Sequence, residues 1–173
     1  MNVLIAQREQ VAMHAAVPIV RAENEGEKRW FFGGGVHTWK ATAEETGGTF
    51  ILFEDLMDRG KTTPLHAHPE VDETLYVVEG EIVVQIGGVE SVVGRGGVTF
   101  APRGTPHAFR VTSHVARVLT LQTPGSAESF FRDASEPVNG DGQAGNVDIG
   151  RVQASAKRNG GTEILGPPPF NDA

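Results

Sequence analysis

Short runs of β-branched and aromatic residues, each closed by a glycine-containing turn, fill the middle of this sequence and restrict the folds open to it. The chain has 22 glycines among 173 residues, well above the usual share of about 7%, and no helical pattern separates the runs. This spacing predicts an antiparallel β-sandwich or barrel. The predicted strands are 49–57, 74–80, 81–87, 89–93, 98–102, 107–112 and 115–123. Residues 74–80 and 81–87 meet at Gly80, which predicts a hairpin.

The chain is predicted to fold as one β domain with an extension at each end. Residues 1–29 form an N-terminal arm, in which 16–20 is a candidate strand that could be exchanged with a second copy. Residues 30–123 form the barrel and include two further short strands, at 30–32 and 36–42. No second region is large enough to stand as a separate domain.

Residues 124–173 contain two predicted helices and a proline-rich tail. Ser126 is the candidate N-cap of a helix over 126–134, because a serine side chain can accept a hydrogen bond from the first helical turn. A second short helix over 148–158 ends at Gly160-Gly161, since glycine favours the position after a helix. The three prolines that follow exclude a helix from the tail.

Charge and composition exclude several classes of function. The formal net charge is −7, from 22 acidic and 15 scattered basic residues. Nucleic acid is not expected as a partner, because binding it requires clustered Lys and Arg. The chain has no cysteine, so disulfides and thiolate metal sites are excluded. The apolar runs are far shorter than the roughly 20 residues that span a bilayer, and residues 1–14 lack a secretory pattern. We therefore expect a cytoplasmic protein without a membrane partner.

Histidine and glutamate in the stretch 63–81 predict one half of a metal site. In an extended segment the side chains of His66 and His68 project to the same face. Glu73 follows a Pro-Glu-Val-Asp turn at the start of the next strand and can converge with them, and His107 opens a later strand. Imidazole nitrogens and a carboxylate oxygen suit divalent Fe, Mn, Co, Ni, Cu or Zn. The remaining histidines, expected to be structural or solvated, are His14, His37 and His114.

The spacing of these residues and their glycines closely resembles the two sequence motifs of the cupin superfamily. The first motif covers residues 60–80, and the second covers residues 96–107. Val111 stands where the second motif often has an asparagine that is not a ligand. The resemblance implies an all-β fold, the cupin double-stranded β-helix or jelly-roll barrel, with short C-terminal helices beside it. It also implies one divalent transition-metal ion per chain, bound by His66, His68, Glu73 and His107.

Alternation along the strands predicts the wall of a substrate pocket. If Glu73 and His107 point inward, every second residue after each of them does so too. In the strand 49–57 the pattern leaves open which of the two faces points inward. The expected inward set is almost wholly apolar, which favours an aromatic or apolar organic substrate over a charged one. The predicted wall residues are Phe53, Leu75, Val77, Phe109 and Val111.

The Trp-Phe-Phe-Gly-Gly segment at 30–34 and the C-terminal segments are similar to those of bacterial cupins that resemble quercetin 2,3-dioxygenase. This resemblance implies that dioxygen cleaves a flavonol-like aromatic substrate. Glu73 is then the catalytic residue, both metal ligand and general base, for which its pKa must rise. Two alternatives stay open: a metal-dependent cyclase or isomerase of polyketide-like aromatics, and a non-catalytic small-molecule binding protein. A homodimer is expected, because proteins usually cover the exposed edges of a single barrel.

Overall fold

Two antiparallel β-sheets build the protein, which a computed structural model describes over residues 15–138 and 148–170. Among these residues, neither helix combines the length and hydropathy that crossing a bilayer requires. The strands are β1 (Lys28–Trp30), β2 (Val36–Ala41), β3 (Ile51–Asp58), β4 (Leu65–Ala67), β5 (Asp72–Glu79), β6 (Glu81–Ile86), β7 (Val89–Gly94), β8 (Val98–Ala101), β9 (His107–Val111), β10 (Val115–Thr123), β11 (Glu136–Pro137) and β12 (Glu163–Gly166), and the helices are α1 (Glu128–Asp133) and α2 (Ile149–Asn159).

The strand order confirms the predicted all-β class. One sheet has seven strands in the order β11-β1-β2-β3-β10-β5-β8, and the other has five in the order β12-β4-β9-β6-β7. Alternating burial along the long strands shows which side chains face the interior. In β3 every second residue from Ile51 to Met57 is buried, so Phe53 points inward. In β10 the same alternation buries every second residue from Ala116 to Gln122.

The predicted hairpin between 74–80 and 81–87 is wrong. β5 pairs with β8 and β10, whereas β6 pairs with β7 and β9, so the two strands lie in different sheets. Gly80 carries the chain between the sheets with a φ of 81°, and a Cβ there would lie 2.2 Å from the carbonyl oxygen of Val115. The hairpin is instead β6–β7, where Gly87 and Gly88 have φ values of 56° and 84°, as a two-residue type I′ turn requires.

Two apolar clusters fill the interior. One lies between the two sheets, and the other joins the seven-stranded sheet to the helices through Phe130 and Phe131 of α1 and Val152 of α2. Removing this surface from water stabilises the fold by roughly 25 cal/mol per Å² of apolar area. The cluster between the sheets contains Met57, Leu75, Val77, Ile82, Val84, Val111, Ala116 and Val118.

Both predicted C-terminal helices form, but the first begins differently. A 3-10 turn over Gly125–Ala127 precedes α1, whose N-cap is Ala127 and has no capping side chain. The assignment of Ser126 as N-cap is therefore wrong, because the chain is already turning at that residue. At the start of α2 the Asp148 carboxylate accepts a hydrogen bond from the amide of Arg151 at 2.8 Å.

The candidate strand at 16–20 is not formed. Pro18 removes one backbone donor from it, and the segment is coil. The amide of Val17 donates to the carbonyl oxygen of Glu45 at 2.9 Å, and the Arg21 guanidinium donates to the carbonyl oxygen of Lys40 at 2.6 Å. The rest of the predicted arm, residues 1–14 with His14, lies outside the described residues, as do 139–147 and 171–173.

Candidate metal centre

The four side chains predicted as ligands meet in the interior, between the two sheets. His66 in β4 is the direct partner of His107 in β9 across an antiparallel pair. His68 directly follows β4, and Glu73 lies in β5 of the other sheet. One potential ligand atom of each residue lies within 4.8 Å of the others, and all four residues are buried. The group could therefore hold a metal ion between the sheets.

Backbone carbonyl oxygens fix the three imidazole rings through their Nδ1 atoms. A carbonyl oxygen only accepts hydrogen bonds, so each Nδ1 carries a proton, and in the neutral ring Nε2 presents a lone pair. A second hydrogen bond of this kind orients the histidine ligands of metal sites in general. The Nδ1 atoms of His66, His68 and His107 lie 2.9, 2.7 and 2.8 Å from the carbonyl oxygens of Pro64, Gly161 and Thr105, respectively.

The carboxylate of Glu73 lies between two of these rings. Its Oε1 is 3.2 Å from Nε2 of His107, and its Oε2 is 3.2 Å from Nε2 of His68. Nε2 of His107 is buried and has no hydrogen-bond partner among the described residues. Lone pairs on atoms this close repel each other unless a shared proton or a cation lies between them. Neighbouring ligands of one ion, each about 2.1 Å from it, lie about 3 Å apart, so the donor set fits a metal.

Gln122, which the sequence analysis did not single out, adjoins Glu73. It lies directly opposite Glu73 in the pairing of β10 with β5, and its side chain is fully buried. Its Nε2 donates to Oε2 of Glu73 at 2.7 Å and lies 3.2 Å from Nε2 of His68. The hydrogen bond fixes one oxygen of the carboxylate. The signal that could have identified it was a glutamine at the inward position of β10 that follows Ala116, Val118 and Thr120.

Burial and mutual contact set the charges of the ligand candidates. Burial lowers the pKa of His66 to about 3, and the nearby His107 and His68 add to this effect, so the ring is neutral at pH 7. Burial alone would raise the pKa of Glu73, but the imidazoles of His107 and His68 hold that pKa well below its usual value. Burial also opposes a charge on His107, but Glu73 outweighs it and raises the pKa of His107. The direction for Glu73 is opposite to the one that a general base near neutral pH needs.

The cluster opens onto a cavity of about 60 Å³. His66, His68 and Glu73 form part of its wall, and most of the remaining wall is apolar. Sites that bind organic molecules are likewise mostly apolar with a few polar groups. The aromatic side chains of the wall are Phe31, Phe32, Phe53, Phe109, Phe130 and Phe131.

Three of the five predicted wall residues line this cavity, namely Phe53, Leu75 and Phe109. The other two, Val77 and Val111, do not line it, because their side chains are fully buried in the apolar cluster between the sheets. Alternation gives the side of the strand on which a residue lies. It does not give the depth at which the cavity ends and the packed core begins.

The cavity wall also contains His37, Asp55 and Lys61, which were not among the predicted site residues. Nε2 of His37 lies 2.7 Å from Oδ1 of Asp55, and the hydroxyl of Thr120 donates to Oδ2 of Asp55 at 2.9 Å. The His37 ring stacks on Phe53 with centroids 4.8 Å apart. His37, expected to be structural, thus faces the same space as the ligand candidates, whereas His114 is exposed.

Comparison with known sequences agrees with the motif spacing. The cupin domain family matches this chain over residues 53–121, a stretch that includes all four ligand candidates. Quercetin 2,3-dioxygenase of Bacillus subtilis is 31% identical over 125 residues, 72% of this chain. The chain contains a cupin domain. This cupin spans only 37% of the length of that relative, so the similarity concerns a part of a longer enzyme.

Solved structures show the same fold for this cupin. An RmlC-like cupin from Shewanella frigidimarina superposes with a TM-score of 0.56 at 21% identity, over 62% of this chain and 92% of that chain. A predicted oxalate decarboxylase from Thermotoga maritima gives a TM-score of 0.57 at 19% identity, over 62% of this chain and 99% of that chain. At these identities the likeness concerns the fold alone.

Proposed function

We propose that this cupin is a metal-dependent dioxygenase that acts on a flavonol-like or other aromatic substrate. The observation that supports this most is the buried cluster of three histidines and one glutamate, open to a cavity with aromatic walls. The similarity to a quercetin 2,3-dioxygenase supports the choice of oxygen chemistry on an aromatic compound. Aromatic side chains around the cavity favour a planar ring system, which they can stack against or meet edge-on.

The residues of the cluster have separate tasks in this proposal. Nε2 of His66, His68 and His107 and one oxygen of Glu73 would hold one divalent transition-metal ion. When bound, such an ion polarises a substrate oxygen and offers open positions to further oxygen ligands. Gln122 keeps the carboxylate oriented, and the aromatic wall holds the substrate ring and excludes water.

Glu73 is also our candidate for accepting a hydroxyl proton from the substrate. Its low pKa keeps the carboxylate ionised, so it can accept a proton, but it also makes Glu73 a weak base. Proton transfer to Glu73 therefore needs a substrate hydroxyl that is acidic within the site. Replacement by glutamine removes the charge and should abolish turnover while leaving the shape of the cavity unchanged.

Metal analysis with a single-histidine variant tests the proposal. Purified wild-type protein should contain up to one transition-metal ion per chain and convert a flavonol such as quercetin. His66→Ala should lose both the metal and the conversion, because it removes one ligand and opens the cluster. His114→Ala is the matched control, since His114 is exposed, and it should keep both. Full metal content and full turnover in His66→Ala would show that the cluster is not the site.

A further inference from the structure

Lys61 has no task in the proposed chemistry, although its amine lies in the same cavity. The residue is only 5% exposed, and its side chain lines the cavity together with His66 and Glu73. Its Nζ atom is buried and has no hydrogen-bond partner among the described residues. Burying an ammonium group without an acceptor is unfavourable, so the position of Lys61 has a cost in stability.

The backbone of Lys61 is held firmly on both sides. Its amide donates to the carbonyl oxygen of Asp58 at 3.1 Å, and its carbonyl oxygen accepts from the amide of Val111 at 2.8 Å. On one side of the amine the backbone passes closely, since a Cβ added at Gly33 would lie 3.4 Å from Nζ. The side chain thus enters the cavity from a fixed point between two strands.

The neighbours of Lys61 attract a cation, but they do not provide acceptors for the N–H groups of its amine. The amine lies 5.3 Å from the ring centroid of Phe31 and 5.4 Å from that of Phe32, and ring faces attract cations. Oδ2 of Asp55 accepts from Thr120, whereas its Oδ1 lies 2.7 Å from Nε2 of His37 and has no hydrogen-bond partner among the described residues, Lys61 included. Burial lowers the pKa of Lys61 to about 8, against the attraction of Asp55, so most of the amine is charged at pH 7.

We propose that Lys61 binds an anionic oxygen of the aromatic substrate, a phenolate, enolate or carboxylate oxygen. Nζ has three N–H donors, and hydrogen bonds from an ammonium to an anionic oxygen are among the strongest in proteins. The rings of Phe31 and Phe32 beside the amine are placed to contact the aromatic part of the same molecule. The inference rests on the proposed function only for the aromatic nature of the substrate.

Two isosteric probes separate charge from shape. Benzoate and benzamide have the same ring and nearly the same size, but only benzoate is anionic. Calorimetry of purified, metal-loaded protein should show tighter binding of benzoate than of benzamide. Lys61→Met should weaken benzoate binding about 10- to 100-fold, as expected for one charged hydrogen bond, and leave benzamide binding within about twofold. Lys157→Met removes the same charge from an exposed position on α2 and should change neither affinity.

Three results would overturn the proposal. Unchanged benzoate binding in Lys61→Met means that the anion binds elsewhere, for example at the metal. Equal weakening of benzoate and benzamide means that Lys61 only shapes the wall. No benzoate binding by wild-type protein at millimolar concentration means that the cavity does not accept such an anion. Denaturation curves must show a folded variant, and Lys61→Gln serves as the second uncharged variant. If the protein does not turn over a flavonol, these binding results still stand. Failure of the proposed function can therefore be told apart from failure of this inference.

Discussion

Gln122 is linked to the ligand cluster through one short hydrogen bond, from its Nε2 to Oε2 of Glu73 at 2.7 Å. Replacement by leucine keeps the volume and removes the donor, so the carboxylate of Glu73 loses its fixed orientation. Loss of such an outer partner costs about 10- to 100-fold in metal affinity at known sites. We expect Gln122→Leu to weaken metal binding by that factor, measured by competition with a chelator.

The control for this variant is Gln153→Leu, which makes the same change at an exposed position of α2. It should leave metal affinity unchanged. Equal metal affinity in Gln122→Leu and wild-type protein would mean that Glu73 is oriented by the protein without this hydrogen bond.

The burial of Lys61 should make the free energy of unfolding depend on pH. Its pKa falls from 10.5 to about 8 through burial, which corresponds to ~3 kcal/mol. Between these values the unfolded chain holds more protons than the folded one, so this residue's contribution to stability rises with pH across the window. The cost of the buried charge is fully present below pH 8 and disappears as the pH approaches 10.5.

We therefore expect Lys61→Met to raise the free energy of unfolding at pH 7 by roughly 1–3 kcal/mol, because it removes a buried cation. The gain over wild type should shrink when the same urea denaturation is measured near pH 10. A variant less stable than wild type at pH 7, or a gain that does not change with pH, would contradict a costly buried amine.

At the scale of elements, the segment after α2 holds one ligand candidate in place. The carbonyl oxygen of Gly161 lies 2.7 Å from Nδ1 of His68, and the hydroxyl of Thr162 lies 3.1 Å from the same atom. Gly161 has a φ of 75°, and a Cβ there would lie 3.2 Å from Cα and Cβ of Ala127. Gly160 has a φ of 63° but nothing within 4 Å of such a Cβ.

This pair of glycines provides a matched comparison. Both alanine variants should lose roughly 1–3 kcal/mol of stability to backbone strain. Only Gly161→Ala should also move the carbonyl that orients His68 and lower metal affinity, by about tenfold. Chelator competition and denaturation of both variants test this. Equal metal affinity in the two variants would show that the C-terminal segment does not position His68.

The same elements show what the sequence could and could not predict. Most of the strands could be predicted because alternation is local, and the four clustered residues because their spacing resembles the two cupin motifs. The hairpin at Gly80 could not, because a glycine with positive φ serves a hairpin and a crossover equally well, and the choice depends on distant strands. Nothing in the sequence pattern indicated Lys61 as a site residue, since it follows a turn and belongs to no alternating face. The contact of Gly161 with His68 could not be predicted either, because the two residues are 93 positions apart in the sequence.

At the scale of the whole molecule, an exposed apolar surface at one sheet edge supports the expectation of a homodimer. β8 forms that edge, and its Val98 and Phe100 are 63% and 56% exposed. Val98 pairs with Tyr76 of β5, which is 45% exposed. Proteins usually cover apolar sheet edges.

Light scattering should therefore give a mass near twice that of the 18.5 kDa chain, and Phe100→Glu should shift it toward the monomer. Monomeric wild-type protein at micromolar concentration would contradict this expectation and leave the exposed surface without an explanation.

Dioxygen uptake is the quantity that most directly separates the reactions open to this cupin. With metal-loaded protein and quercetin in an oxygen electrode, we expect uptake equimolar with the flavonol consumed, no reaction under argon, and no uptake with His66→Ala. Flavonol conversion at the same rate under argon would contradict the proposed dioxygenase and favour a cyclase or isomerase. Tight flavonol binding without any conversion would contradict it as well and favour a binding protein.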